Sequence, residues 1–335
     1  MKKINSIILT LGVVLVSFNS QAQDPNYRQN QFNALMLNPA QAGANSYNDI
    51  TTLANTQWTG LRGAPKTMTL SGNFNILKNF GIGVSLLQDE LGPVKSTQFA
   101  VNGAYHLKLN KDWRLSVGLR AIAGNTTVNL LDLTTPVPMD PDMMTNMTTG
   151  LQFNAGYGFL LYHKNFYVGF SQPRIGETYF KDRNMNMFVD ARGGYVGYLG
   201  GNIKMGPVWT LRPNAVGRHM VGLPFTLDMN MIMSHKIGFD FGMSYQLNSA
   251  IGAILGYDFN SKFYLGYSYT YPVSQMNTVA IQSHELALRY KFNNTQVVVK
   301  VHVFSIDIND CNSSVSLSSR CRSFLFIRVD SNEVF

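Results

Sequence analysis

Residues 97–109 read Thr-Gln-Phe-Ala-Val-Asn-Gly-Ala-Tyr-His-Leu-Lys-Leu. In an extended chain Phe99, Val101, Gly103, Tyr105, Leu107 and Leu109 fall on one side. Gln98, Ala100, Asn102, Ala104, His106 and Lys108 fall on the other. Successive side chains of a strand point to opposite faces, so this stretch predicts a strand with one apolar and one polar face. A helix would scatter the same apolar residues around its circumference.

The alternation recurs along the chain. Residues 113–124 set Trp113, Leu115, Val117, Leu119 and Ala121 against Arg114, Ser116, Gly118 and Arg120. Residues 151–161, 237–246 and 263–271 repeat it, the last with Tyr267, Tyr269 and Tyr271 on the apolar side. Each run has about the 9 to 11 residues that a tilted strand needs to cross a bilayer. A soluble sandwich also alternates, but its strands are usually about five or six residues long. Lipid-facing aromatic girdles account for the tyrosines better than a sandwich core does.

Composition agrees. Charged residues make up 14% of the 335, against roughly 25% in ordinary soluble domains, while 29 glycines, 16 tyrosines and 21 phenylalanines are abundant. After residue 23 no uninterrupted apolar run is long enough for a membrane helix. The net charge of +8 is mild for this length and forms no basic stripe, which argues against nucleic-acid binding. Lipid bilayer is the partner that this composition requires.

Four parts are expected. Residues 1–23 have Lys2 and Lys3, an apolar stretch from Ile7 to Phe18, and Ser20-Gln21-Ala22 before the cleavage point, the pattern of a secretory signal peptide. Residues 24–49 form an N-terminal periplasmic strap or plug. Residues 50–292 form an all-β, transmembrane, antiparallel up-and-down barrel of about fourteen strands, within a range of 12 to 16. Its connections alternate between short turns (Ile76–Asn79, Asn110–Asp112, Asn260-Ser261) and longer loops (125–149, 172–193, 272–281), with Leu247-Asn248 a tight exception on the long side. Residues 293–335 break with the body: they lack glycine and hold the only cysteines, Cys311 and Cys321. They read as a periplasmic extension, a disulfide-stapled hairpin, or, the leading reading, a stretch foreign to the ancestral protein.

Asp24-Pro-Asn-Tyr-Arg-Gln-Asn-Gln-Phe-Asn-Ala-Leu-Met-Leu-Asn-Pro-Ala-Gln-Ala-Gly43 resembles the mature N-terminus of the PorP/SprF family of type IX secretion outer-membrane proteins. Gln57-Trp-Thr-Gly-Leu-Arg-Gly-Ala-Pro-Lys-Thr67, Asp89-Glu-Leu-Gly-Pro-Val94 and His284-Glu285 are similar to further motifs of that family. The resemblance covers about 24–292 and leaves the tail without a counterpart. It implies a non-enzymatic barrel that works with the secretion and gliding apparatus. Such a barrel links the periplasmic ring lipoproteins to the outer membrane, or supports secretion and surface anchoring of a large adhesin. An outer-membrane channel or hydrophobic-solute transporter is the alternative.

Three groups of residues are candidates for function. Asn38, Pro39 and Gly43 mark a turn-rich segment at the periplasmic mouth, read both as a strap packing the lumen and as a place for a partner to dock. Trp58, Gly60, Gly63, Ala64 and Pro65 mark the first exposed loop, where three backbone-special residues in six favour a fixed turn. Arg114, Arg120, Arg212, Asp228, Asp240, Glu285 and Arg289 share the polar register and should face the lumen, because outward charges at mid-bilayer cost about 2 to 4 kcal/mol each. Their mixed signs favour a filled interior over a selectivity ring. Asp132, Asp140 and Asp142 match no calcium-loop spacing, and their neighbours Met139, Met143, Met144 and Met147 suit an adaptable contact surface. No nucleophile, metal or cofactor motif occurs, and His106 reads as a wall residue.

Overall fold

A computed structural model describes residues 27–130, 146–176, 178–181, 187–191, 193–220, 223–273, 282–292, 300–303 and 327–330. The alternating segments become strands β1 Asn48–Thr56, β2 Lys66–Leu77, β3 Phe80–Leu91, β4 Val94–Lys108, β5 Arg114–Val128, β6 Gln152–Tyr162 and β7 Phe166–Arg174. They continue as β8 Gly194–Gly201, β9 Trp209–Met220, β10 Thr226–His235, β11 Phe239–Gln246, β12 Ala250–Phe259, β13 Phe263–Pro272 and β14 Ser283–Phe292. Each pairs antiparallel with its neighbours in sequence. The sheet closes where β1 meets β14, with Asn48 opposite Phe292 and Thr56 opposite His284. The expected fourteen-strand antiparallel barrel is therefore the observed one. Two short strands, Met147–Thr148 and Ile203–Met205, extend the sheet beside β5 and β9.

Closure satisfies the backbone of every strand without leaving an edge, which a bilayer demands. Among the described residues no helix is long and apolar enough to cross a membrane. Side chains alternate strictly in β13, exposed then buried through all ten residues. The outward set is apolar: Phe153, Met243 and Leu119 are 75%, 73% and 68% exposed. A surface of this kind needs lipid rather than water against it. The inward set is polar and includes Thr69, Asn102, Ser116, Ser171, Asp228 and Glu285, all buried.

Turn chemistry fixes the rims. At the end reached by β2, β4, β6, β8, β10 and β12 the links are short, and Asn260 and Ser261 both take positive φ (53° and 57°), the geometry of a two-residue hairpin turn. The opposite rim carries the longer loops. Gly92-Pro93 joins β3 to β4 there with Leu91 opposite Val94, a second tight link besides that at Asn248. A small hairpin, Thr178–Lys181 with Met187–Ala191, follows β7.

Thr295–Phe335 is a separate unit in which Lys300–Val303 pairs with Ile327–Asp330. Cys311 and Cys321, the expected signal peptide over 1–23, and Asp132, Met139, Asp140, Asp142, Met143 and Met144 lie outside the described residues.

Candidate functional site: a plugged lumen

Residues 27–44 run inside the barrel. They fold as three short turns, Asn30–Phe32, Ala34–Leu37 and Pro39–Gln41. Asn38 starts the last of these: its side chain accepts the Ala40 N–H at 2.8 Å, and Pro39 occupies the first helical position, where no N–H is needed. Apolar side chains have no water-free place except against the wall. Leu37 and Ala40 pack with Leu160, Val196, Tyr198 and Val216, while Phe32 packs with Ile232, Ile254 and Tyr264.

The wall is cut to receive this chain. A Cβ on Gly118 would lie 2.3 Å from Ala40 N, and one on Gly81 would lie 2.3 Å from Ala42 O. Gly43 takes φ +69°, and a Cβ there would lie 2.5 Å from Gly81 Cα. Backbone meets backbone only where both sides lack a side chain. Polar groups of the wall then take up the plug's carbonyls. Ser116 Oγ donates to Ala40 O at 2.7 Å, Ser171 Oγ to Leu37 O at 2.7 Å, and Asn73 Oδ1 accepts the Gly43 N–H at 2.6 Å. His106 Nε2 donates to Ala42 O at 2.9 Å while its Nδ1 takes the Tyr162 hydroxyl at 3.1 Å, so it serves as a wall residue.

The other end of the plug is held by charge. The backbone N–H groups of Arg28 and Gln29 donate to the two oxygens of Glu285 at 2.9 and 2.7 Å. Arg28 Nη1 reaches Asp228 at 3.0 Å and Nη2 reaches Gln246 at 2.7 Å. Burial lowers the Arg28 guanidinium from its ordinary value, and the charges of Asp228 and Glu285 oppose that shift. Phe32 stacks on Tyr264 at 4.4 Å, with the guanidinium carbons of Arg212 and Arg289 at 5.6 and 5.5 Å from its ring.

The plug runs along the lumen and is not confined to one mouth. Gly43 lies beside Gly81, the second residue of β3, at the short-turn end. Arg28 lies beside Gln246, the last residue of β11, and Asp228, the third of β10, at the long-loop end. The physical reason is that Leu35, Leu37 and Phe32 find burial only by following the wall from one rim to the other.

The expected charge network is also redistributed. Arg212 pairs with Asp240, and Asp228 bridges Arg28 and Arg218. Arg289 donates to Thr51 at 3.1 Å and approaches Asp49 at 3.7 Å. Arg120 is buried and donates to Asn102 Oδ1 at 2.6 Å, to Met36 O at 3.0 Å and to Leu35 O. Arg114 is exposed at the short-turn rim and stands outside every ion pair of the described residues, because its position is the first of β5. Arg218 and Asp49 were legible from the same inward register and were missed. Arg28 had no such signal, since the plug has no period.

The first loop is a fixed turn. Trp58, Gly60 and Gly63 take positive φ (48°, 100° and 76°), Gln57 N–H donates to Pro65 O at 2.9 Å, and Ala64 N–H to Leu61 O at 3.2 Å. Gly92 N–H donates to Gly63 O at 2.9 Å, and Trp58 N–H donates to Ser283 Oγ at 3.2 Å. Residues 57–65, the Gly92 turn and the start of β14 therefore meet at one place on the long-loop rim.

Comparison with known proteins gives one match at the level of sequence. The profile of type IX secretion system membrane protein PorP/SprF matches residues 19–290. No curated protein sequence matches. Among solved structures, the chain is similar to a FadL homologue of Pseudomonas aeruginosa (11% identity, TM-score 0.45, covering 80% of this chain and 95% of that one). It is also similar to the CymD monoaromatic hydrocarbon channel (11%, 0.44, 78% and 92%) and to Omp33 of Acinetobacter baumannii (14%, 0.39, 75% and 100%). With the profile running from before the plug into β14, this outer-membrane barrel belongs to the PorP/SprF family of type IX secretion system membrane proteins.

Proposed function

We propose that the protein is a non-enzymatic scaffold of type IX secretion and gliding. In this role it supports the secretion or surface anchoring of a large partner such as an adhesin, or ties periplasmic ring lipoproteins to the outer membrane. The observation that carries this reading is the lumen: its middle is occupied by residues 27–44, bonded to the wall from Gly43 to Arg28. A barrel filled in this way offers partners its rims rather than a path for solutes. The fixed meeting of the first loop, the Gly92 turn and β14 supplies a rigid platform at the long-loop rim.

A detergent pull-down of the tagged barrel with mass spectrometry tests the proposal. Recovery of ring lipoproteins supports the linking role, and recovery of one large surface protein supports the anchoring role. Recovery of neither, together with stable single-channel conductance in planar bilayers, favours a channel or hydrophobic-solute transporter and overturns the proposal.

A further inference from the structure

The plug leaves one part of the lumen open. At the long-loop ends of β4 to β7 lies a small pocket of about 20 Å³, open to solvent, and no described plug residue lines it. Its lining is amide and hydroxyl: Gln98, Thr126, Gln152 and Asn154 surround Arg174, with Ile122 among them. We infer that this cavity binds the carboxylate of a peptide presented at the long-loop mouth, with Arg174 as its cationic anchor.

The chemistry of Arg174 carries the inference. A guanidinium has five N–H donors, and among the described residues Arg174 uses one bond, from Nη2 to Gln98 Oε1 at 2.8 Å. It joins no ion pair of the described residues. No carboxylate lines the cavity among the described residues. Asp89, on β3 in register with Ser96, is turned the other way and accepts from Thr67 Oγ1 at 2.5 Å. Arg120, buried on the same face of β5 two residues below Ile122, also joins no ion pair of the described residues, and its charge repels Arg174. A half-enclosed guanidinium with no counter-charge among the described residues favours an anion, and a carboxylate matches its fork in two parallel bonds.

The wall that holds this anchor is rigid. Asn154 Oδ1 accepts the N–H groups of Ile175 and Gly176 at 3.2 and 3.1 Å, and its Nδ2 donates to Gly176 O at 2.9 Å. These bonds fix the chain just past Arg174. Gln98 in turn donates to Ser96 Oγ at 3.4 Å. Among the described residues no aromatic ring lines the cavity, although sugar rings are commonly held on aromatic faces, so a peptide carboxylate fits better than an acidic glycan. The inference stands apart from the secretion role: a barrel that recovered no secretion partner would still bind a carboxylate here.

Fluorescence anisotropy on the full barrel in detergent tests it. The probe is a fluorescein-labelled hexapeptide, Gly-Ser-Gly-Ser-Gly-Glu, with a free C-terminal carboxylate. Its control is the amidated peptide ending in glutamine. The acid form should bind at least about tenfold more tightly, Arg174→Gln should remove that difference, and Arg174→Lys should keep part of it. Folding is checked by heat-modifiable migration on gels. If Arg174→Gln does not fold, Gln98→Glu, which sets a carboxylate on Arg174 from within the wall, should abolish the preference instead. Equal binding of both peptides, no binding of the acid form, indifference to both variants, or tighter binding of a galacturonate trimer than of the peptide would overturn the inference.

Discussion

Asn38 of the plug fills the space that Gly158 of β6 leaves empty: a Cβ on Gly158 would lie 2.0 Å from Asn38 Oδ1. The same amide donates to Phe159 O at 2.9 Å and Phe170 O at 3.3 Å, so one side chain spans two neighbouring strands. Plug and wall are therefore fitted to each other at atomic scale. That fit makes the plug a structural part of the barrel, and its energetic weight can be measured site by site.

Gly158→Val should drive Asn38 off the wall. Overpacking of this kind costs about 1–3 kcal/mol, read as a lower urea midpoint for unfolding of the purified barrel. Asn38→Gly in the same background should recover part of the loss. An unchanged midpoint for Gly158→Val would mean that the plug does not lie there.

Glu285→Ala should free the first residues of the plug. The buried Gln29 N–H and the half-buried Arg28 N–H lose their acceptor, at about 1–3 kcal/mol for a buried group left unsatisfied. Glu285→Gln keeps one acceptor oxygen and should cost less. Limited proteolysis at Arg28 reports the release: cleavage should be fastest in the alanine variant and slowest in the native barrel.

Asp228→Asn should be among the most damaging single changes in the lumen. It strips the common counter-charge from Arg28 and Arg218, and breaking a buried pair costs about 3–5 kcal/mol. Adding Arg218→Met should restore some of that stability, because one stranded cation is removed. A double-mutant cycle on unfolding midpoints gives the coupling, and strict additivity would show that the pair does not exist.

On the outer face the expected order depends on depth. Leu119, within β5 and 68% exposed, faces lipid well inside the strand, whereas Leu107 is the next-to-last residue of β4. Leu119→Arg should cost about 2–4 kcal/mol and Leu107→Arg about 0–1 kcal/mol. Refolding yield into lipid vesicles measures both, and equal effects would contradict the assigned membrane span.

Sequence reading reached the barrel because its rule is local. Each residue of Gln98–Leu109 is assigned to lipid or lumen by its parity alone, and the same parity places Asn102, Ser116 and Arg120 inside. The strand count followed, since each short turn interrupts the alternation. Arg114 shows where parity stops: it has the right register but lies at the first position of β5, beyond the packed part of the lumen. Register says which face a residue takes, not how deep it sits.

What the sequence by itself determined is a closed antiparallel barrel with a polar interior of mixed charge, because a two-residue period against lipid leaves no other fold. Only the tertiary structure decided what the interior is for. The plug has no period, so its path from Gly43 beside Gly81 to Arg28 beside Asp228 could not be read from its residues. That path is set by glycines, serines and carboxylates on at least six separate strands, which become neighbours only when β1 meets β14. The open cavity around Arg174 has the same origin: it is the part of the lumen that the plug, once placed, does not fill.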